Sequence, residues 1–296
     1  MKQTASFIFI AIKRERIVNK KLINLSMAAV LLGGPAIGYS ATLDTFSADG
    51  VLQNFTGFDW HSNGGGWVQG FDLTGASKAG DSDTFTLTYQ AFAGVINTTS
   101  PTNNLFVSSP GPETGTYEIT TFQTLTQTAI CQNDGCSSIQ IITNSGSWEI
   151  FLDSSPNADQ STGTGFLDGV NILSGTWDSG FSTFAATGAI PGPAVLGTGG
   201  GFLFGTVTFT NNTYVNPTLS GTQFQASLQF PGQSAPEYTR PAAFNGVATG
   251  ADTASSFVIQ TDGSQGFTAA EVPEPGILAL MGIGLLGFAF TGRRRT

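Results

Sequence analysis

Short runs in which apolar and polar residues alternate at every second position recur along this chain, and they constrain its fold more than any other feature. In the run Asp83–Phe92, alternation places Phe85, Leu87 and Tyr89 on one face of an extended strand. Comparable runs occur at Tyr117–Thr126, Ser137–Ile142, Gly146–Leu152, Ile172–Trp177, Phe202–Phe209 and Thr222–Phe230, with edge strands expected at Gly50–Asp59 and Ser256–Thr261. No long amphipathic helical pattern separates them, so the sequence predicts an all-β chain.

Turn residues lie between these runs and indicate antiparallel connections. The segment Thr143–Gly146, Thr-Asn-Ser-Gly, is typical of a hairpin turn between the two runs on either side of it. Many strands joined in this way predict an antiparallel β-sandwich or jelly-roll-like ectodomain over residues 42–271. No charge run or internal repeat divides this segment, so a single domain is expected.

The last 25 residues differ in composition from the rest of the chain. In order, they contain Val272, Pro273, Glu274 and Pro275, an apolar run Gly276–Phe290, and Arg293, Arg294 and Arg295. The two prolines favour an extended motif, the apolar run predicts a single transmembrane helix, and the arginines would stay on the cytoplasmic side as a stop-transfer signal. An ordinary membrane anchor is the alternative, but an anchor needs about 20 apolar residues and does not need the Pro-Glu-Pro motif.

This order of motif, apolar run and basic end resembles the PEP-CTERM sorting domain of Gram-negative bacteria. The resemblance implies that an exosortase, a membrane protease/transpeptidase, is a partner that processes the chain at the motif. It also implies transient anchoring in the inner membrane through the C-terminal helix, followed by release to the cell surface or the extracellular matrix. Residues 272–296 are therefore predicted to be a sorting signal.

The N-terminal residues 1–41 have the features of a secretory signal peptide. Lys20 and Lys21 precede the apolar run Leu22–Leu32, and small residues follow near Ser40, where cleavage is expected. Residues 1–17 form an unusually long lead, which suggests a mis-assigned start and a native start at Val18.

The charge of the exported segment differs from that of the whole chain, which is −9. Between Thr42 and Pro275 the sequence has only two basic residues, Lys78 and Arg240, and 19 of the 20 acidic ones, a formal charge of −17. Such a surface repels nucleic acid and anionic lipid, so neither is expected as a partner. Divalent cations and cationic polymers remain compatible partners.

Cys131 and Cys136 flank the turn sequence Asn133–Gly135 and are the only cysteines. In an exported protein this spacing favours a disulfide at a hairpin tip. A metal pair is the competing interpretation, but it would need two more ligands, and the single histidine, His61, is distant in sequence.

Catalytic patterns are weak in this sequence. His61 has no Gly-x-Ser-x-Gly motif to accompany it, and a surface or strand-end histidine beside two tryptophans is the preferred interpretation. A polysaccharide-active enzyme would need two carboxylates across a cleft, and the sequence cannot place such a pair. Tryptophans at 60, 67, 148 and 177 could stack on sugar rings, although core positions are more usual in this fold class. No catalytic residue is predicted.

Calcium is the one cofactor that the acidic loops suggest. Asp153, Asp159 and Asp168 supply oxygen ligands of the type that Ca²⁺ prefers, but the spacing is not that of an EF-hand. Asp, Asn and Ser are also ordinary turn residues, so both interpretations stay open.

The segments Phe58–Gly64, Asp83–Gln90, Trp148–Ala158 and Thr162–Gly169 resemble the flocculation-associated PEP-CTERM proteins of floc-forming bacteria. The resemblance implies a non-catalytic protein of the extracellular polysaccharide matrix that contributes to floc or biofilm formation. A secreted carbohydrate-binding module, calcium-dependent or not, and a polysaccharide-active enzyme are the alternatives.

Overall fold

The computed structural model describes residues 41–45, 50–73, 78–106, 117–186, 197–231 and 238–267. They lie in one compact unit, Tyr39–Ala270. Residues 1–40 of the predicted signal peptide, the apolar C-terminal run and the sorting motif fall outside the described residues, whereas Ala41 begins the first strand.

Within these ranges the chain forms strands and one short 3₁₀ turn, Pro101–Asn103. The strands are β1 (Ala41–Asp44), β2 (Val51–Trp60), β3 (Gly65–Gln69), β4 (Ser82–Thr98), β5 (Leu105–Phe106), β6 (Glu118–Cys131), β7 (Ser138–Asp153), β8 (Val170–Ala186), β9 (Gly197–Thr210), β10 (Val215–Asn216), β11 (Gln223–Phe230), β12 (Ala243–Phe244), β13 (Val247–Ala248), β14 (Ser256–Gln260) and β15 (Asp262–Gly266). The prediction of an all-β chain is confirmed for this part of the sequence.

Eight antiparallel strands pair in a closed ring, in the order β2, β15, β11, β9, β8, β7, β6, β4 and back to β2. The ring closes because the long strand β4 changes partner along one edge. Its first part pairs with β3, and its last part, beyond Phe92, pairs with β2, where Trp60 lies opposite Ala93. The prediction of a sandwich or jelly roll is therefore wrong: hydrogen bonds follow one closed path, and the fold is an eight-stranded antiparallel barrel.

The second part of the fold prediction, a single C-terminal transmembrane helix, finds no support. In the described part of the chain no helix is long and apolar enough to cross a membrane. The predicted segment, Gly276–Phe290, lies outside those residues.

Two of the strand predictions also need correction. The hairpin predicted at Thr143–Gly146 is absent, because β7 continues through it, and the extra residue is absorbed by a register shift against β6 at Thr126. The segment Gly50–Asp59 is not an edge strand, since β2 pairs with β1, β15 and β4. At Ser256–Thr261 the edge prediction is confirmed, because β14 ends the pairing path beside β3.

Aromatic side chains fill the barrel. The ring of Phe224 lies 5.1 Å from Trp148, 5.2 Å from Trp177 and 5.3 Å from Phe267, measured between ring centroids, in tilted and edge-on arrangements. Polar side chains are also bonded inside the barrel: Gln265 Oε1 accepts hydrogen bonds from Trp60 Nε1 (3.1 Å) and from the Gln123 amide (3.2 Å). Large aromatic rings therefore pack the interior of the closed barrel.

Candidate functional site

An open acidic cleft lies at one end of the barrel, where β7 ends and β8 begins. Asp153, Asp168 and Asp44 line it together with Tyr214, and its volume is about 530 Å³. The structure therefore brings together two of the three predicted calcium ligands. The third, Asp159, is not part of the lining and instead forms an isolated bridge with Thr164 within the loop.

The carboxylates of this region also fix local turns. Asp153 Oδ1 accepts a hydrogen bond from the Ser155 amide (2.8 Å), and Asp168 Oδ2 accepts one from the Asn157 side chain (3.0 Å). Asp159 Oδ1 accepts hydrogen bonds from the amide and the hydroxyl of Ser161, and these bonds lower the pKa of Asp159. Such bonds are what the turn-residue interpretation expects.

No three His, Cys, Asp or Glu side chains come close enough to hold a metal ion within the ranges described above. Calcium binding by Asp153, Asp159 and Asp168 therefore stays a prediction.

Glu118 is the buried anchor of the loop that borders this cleft. Only 4% of its surface is exposed, and Oε1 accepts hydrogen bonds from the amides of Asn157 (2.8 Å) and Ala158 (3.0 Å). Burial raises its pKa, the two amides oppose that rise, and the charges of Asp153 and Asp168 add to it. No local sequence pattern predicts this role, because the loop contacts a glutamate 39 residues earlier in the chain.

A second group of ionisable side chains lies where β2 meets β15. Asp262 is partly buried and Asp59 is more exposed; desolvation raises the pKa of each, and the charge of Asp59 adds to the rise at Asp262. His61 Nδ1 is hydrogen-bonded to Asn63 Oδ1 (2.9 Å), and its ring packs against Phe92. His61 thus lies directly after β2 and orders the turn to β3, in agreement with the strand-end interpretation.

The predicted disulfide is present. Cys131, the last residue of β6, is bonded to Cys136 across the short connection to β7, with 4.7 Å between the two Cα atoms. Both cysteines are buried. The sequence located this hairpin correctly because the turn and the cysteine spacing are local features.

The aromatic side chains that reach the surface are not the ones that the sugar-stacking hypothesis named. Trp60, Trp67, Trp148 and Trp177 are all buried, which confirms the core interpretation and removes tryptophan as a sugar platform. Exposed aromatic rings are instead found on β8 and β9, at Phe181, Phe202, Phe204 and Phe209. These exposed positions were not predicted, because alternation alone does not say which face of a strand points outward.

Comparison with protein families identifies the C-terminal segment. The model of the PEP-CTERM protein-sorting motif matches residues 271–295, which include the motif Val272–Pro275 and the arginines Arg293–Arg295. No curated protein and no solved structure gives a significant match to the chain.

Proposed function

We propose that this chain, whose C-terminal match to the PEP-CTERM sorting motif indicates exosortase processing and export toward the cell surface, acts as a non-catalytic component of the extracellular polysaccharide matrix. In this role it contributes to the formation of flocs or biofilm. The sorting motif is the single observation that carries the proposal, because it directs the β-barrel to the compartment where secreted polysaccharide accumulates.

Three properties of the body support a role outside the cell. The Cys131–Cys136 disulfide persists in an oxidising environment. The formal charge of −17 between Thr42 and Pro275 keeps the protein solvated and away from anionic partners. Closure of the ring leaves no free edge among the eight barrel strands, which disfavours strand-to-strand aggregation at high local concentration.

Fractionation of the producing bacterium tests the proposal, with mass spectrometry of the C-terminal peptide of the mature protein. We expect the wild-type protein in the extracellular polymer fraction, with a C-terminus near Pro275. A variant with Pro273→Ala and Pro275→Ala should remain with the cells as the unprocessed chain. The substitution Val272→Ala, beside the two prolines, is the matched control.

A deletion strain tests the matrix role itself. We expect it to secrete polysaccharide at the wild-type level but to form fewer flocs, and the wild-type gene should restore them, unlike the proline variant. Normal flocs without the protein would contradict the matrix role. Loss of the polysaccharide itself would point instead to a function in its synthesis or turnover.

A further inference from the structure

Four exposed apolar side chains occupy neighbouring positions on the outer face of β7, β8 and β9. Ile142 pairs with Phe181, and Phe181 pairs with Phe202, so that these three side chains lie in one row across three strands. Phe204 lies two positions further along β9 on the same face. Directly opposite side chains on such a face are roughly 5 Å apart. We call Ile142, Phe181, Phe202 and Phe204 the aromatic strip.

The strip is not needed to fill the barrel. Its three rings are 51%, 54% and 48% exposed, while Leu203, between two of them, is buried. None of the three makes a ring contact with another aromatic side chain of the described residues. Scattered exposed apolar residues are ordinary, but a contiguous row of them marks an interaction site.

A fixed carboxylate lies at the end of the strip. A register shift between Trp177 and Ser179 leaves Asp178 exposed beside Ser179, which pairs with Phe204. Two hydroxyls orient the carboxylate: Thr176 Oγ1 donates to Oδ1 (2.9 Å) and Thr206 Oγ1 donates to Oδ2 (2.7 Å). Each carboxylate oxygen keeps a further lone pair for a ligand.

Charge selects the class of partner. The sequence from Thr42 to Pro275 has 19 carboxylates and only two cations, and one of these cations, Arg240, is already paired with Asp252. Nucleic acid, acidic polysaccharide and a second copy of this chain would therefore be repelled. A polymer that carries positive charge is complementary, both to the acidic body and to the aromatic faces, which attract cations.

We propose that the aromatic strip and Asp178 bind a polysaccharide that carries free amino groups. The apolar faces of its sugar rings stack on Phe181, Phe202 and Phe204, and an ammonium group pairs with Asp178. This inference rests on the proposed function, because it names the ligand chemistry and the surface by which the exported protein is held in the matrix.

Binding of an oligomer of glucosamine to the exported protein, purified from the producing cells, tests the inference. Calorimetry at mildly acidic pH keeps the amines protonated and the carboxylates ionised. We expect Phe202→Thr/Phe204→Thr to lose at least about tenfold in affinity. The variant Phe209→Thr removes an exposed ring of the same strand outside the strip and should bind as the wild type does. Asp178→Asn should lower the affinity, and the affinity that remains should change less with salt concentration.

Several outcomes would overturn the inference. The threonine substitutions leave the net charge unchanged. If Phe202→Thr/Phe204→Thr binds the oligomer as tightly as the wild type does, the attraction is purely electrostatic and the aromatic strip is not the binding surface. If the fully N-acetylated oligomer binds as tightly as the glucosamine oligomer, the ammonium groups do not contribute to recognition. If polylysine binds as tightly as the glucosamine oligomer and also loses affinity in Phe202→Thr/Phe204→Thr, the surface binds a cationic protein instead.

The inference and the proposed function fail separately. If the protein is absent from the polymer fraction, the matrix role fails, whatever the purified protein binds. If the protein is present there but the double threonine variant binds and localises normally, only the assignment of the aromatic strip is lost.

Discussion

Trp148 on β7 lies directly opposite Gly175 on β8, and a Cβ atom on Gly175 would come within 2.4 Å of Cζ2 of the indole. The same Cβ would lie 2.1 Å from the carbonyl oxygen of Thr206 on β9. The core tryptophan and the pairing of two ring strands thus both depend on the absence of a side chain at position 175.

We expect Gly175→Ala to lower the free energy of unfolding by about 2–3 kcal/mol, because a packed core and a backbone carbonyl must both move. Gly94→Ala, also in a ring strand, is the control, since its Cβ would meet nothing closer than 3.5 Å and should change stability by no more than about 0.5 kcal/mol. Urea unfolding of both variants measures the difference. Equal stabilities would show that the barrel relaxes around the added methyl group.

The Cys131–Cys136 bond braces the β6–β7 hairpin. Because it closes a short loop, we expect Cys131→Ser/Cys136→Ser to cost about 2 kcal/mol. Reduction of the wild-type protein should produce the same loss, and the double variant should be insensitive to reductant. Thermal unfolding with and without dithiothreitol checks both expectations, and a wild-type melting temperature that ignores reduction would count against the brace.

Glu118 should make the protein less stable as the pH rises. Its pKa is raised in the folded state, so the folded protein binds more protons than the unfolded chain above the ordinary glutamate pKa, and stability falls with pH in that window. Glu118→Gln keeps an acceptor for the amides of Asn157 and Ala158 but cannot ionise. We therefore expect it to be at least as stable as the wild type at neutral pH and to lack this part of the pH dependence.

Glu118→Ala separates the hydrogen bonds from the charge. It leaves the two loop amides without their acceptor, which should cost about 1–3 kcal/mol at every pH. Urea unfolding from about pH 4 to pH 8 compares the three proteins across the range in which carboxylates titrate. A glutamine variant with the same pH slope as the wild type would assign that slope to Asp59 and Asp262, whose pKa values are also raised.

Arg240 should stabilise the segment that joins β11 to β14. Its guanidinium is paired with Asp252 and also donates to the carbonyl of Gly250 (3.0 Å) and to Thr249 Oγ1 (3.1 Å). We expect Arg240→Ala to cost about 1–2 kcal/mol and to speed amide exchange at Thr249 and Val258. Lys78→Ala removes the same charge from an exposed position and should leave both quantities unchanged. If the two variants lose the same stability, the contribution of Arg240 comes from its positive charge alone and not from its hydrogen bonds.

The positions of most strands could be predicted from the sequence. The alternation at Asp83–Phe92 lies within β4, and the runs at Ile172–Trp177 and Phe202–Phe209 lie within β8 and β9. Strand lengths were underestimated, because glycine and threonine at the ends of these runs carry no hydrophobic signal. In β7 the sequence Thr143–Gly146 favours a turn, but the strand continues through it. Both β6 and β8 pair with β7 before and after this segment, and these hydrogen bonds keep it extended.

The candidate sites were predicted less completely. Asp153 and Asp168 lie at the two ends of one loop and line the same cleft. Asp159, in the middle of that loop, is instead hydrogen-bonded to Ser161. Phe181 faces outward because the register shift between Trp177 and Ser179 reverses the inward and outward positions of β8, and no periodicity encodes such a shift. The same shift leaves Asp178 exposed beside Ser179.

By itself, the sequence determined the all-β character, the disulfide-linked hairpin and the sorting signal, because each follows from residues that are near neighbours in the chain. Only the tertiary structure decided that the strands close into a barrel instead of two packed sheets. Closure depends on β4 exchanging one partner for another and on contacts such as that between Trp60 and Gln265, which are 205 positions apart. Alternation specifies that a strand has a buried face, and the pairing of distant strands specifies what that face is buried against.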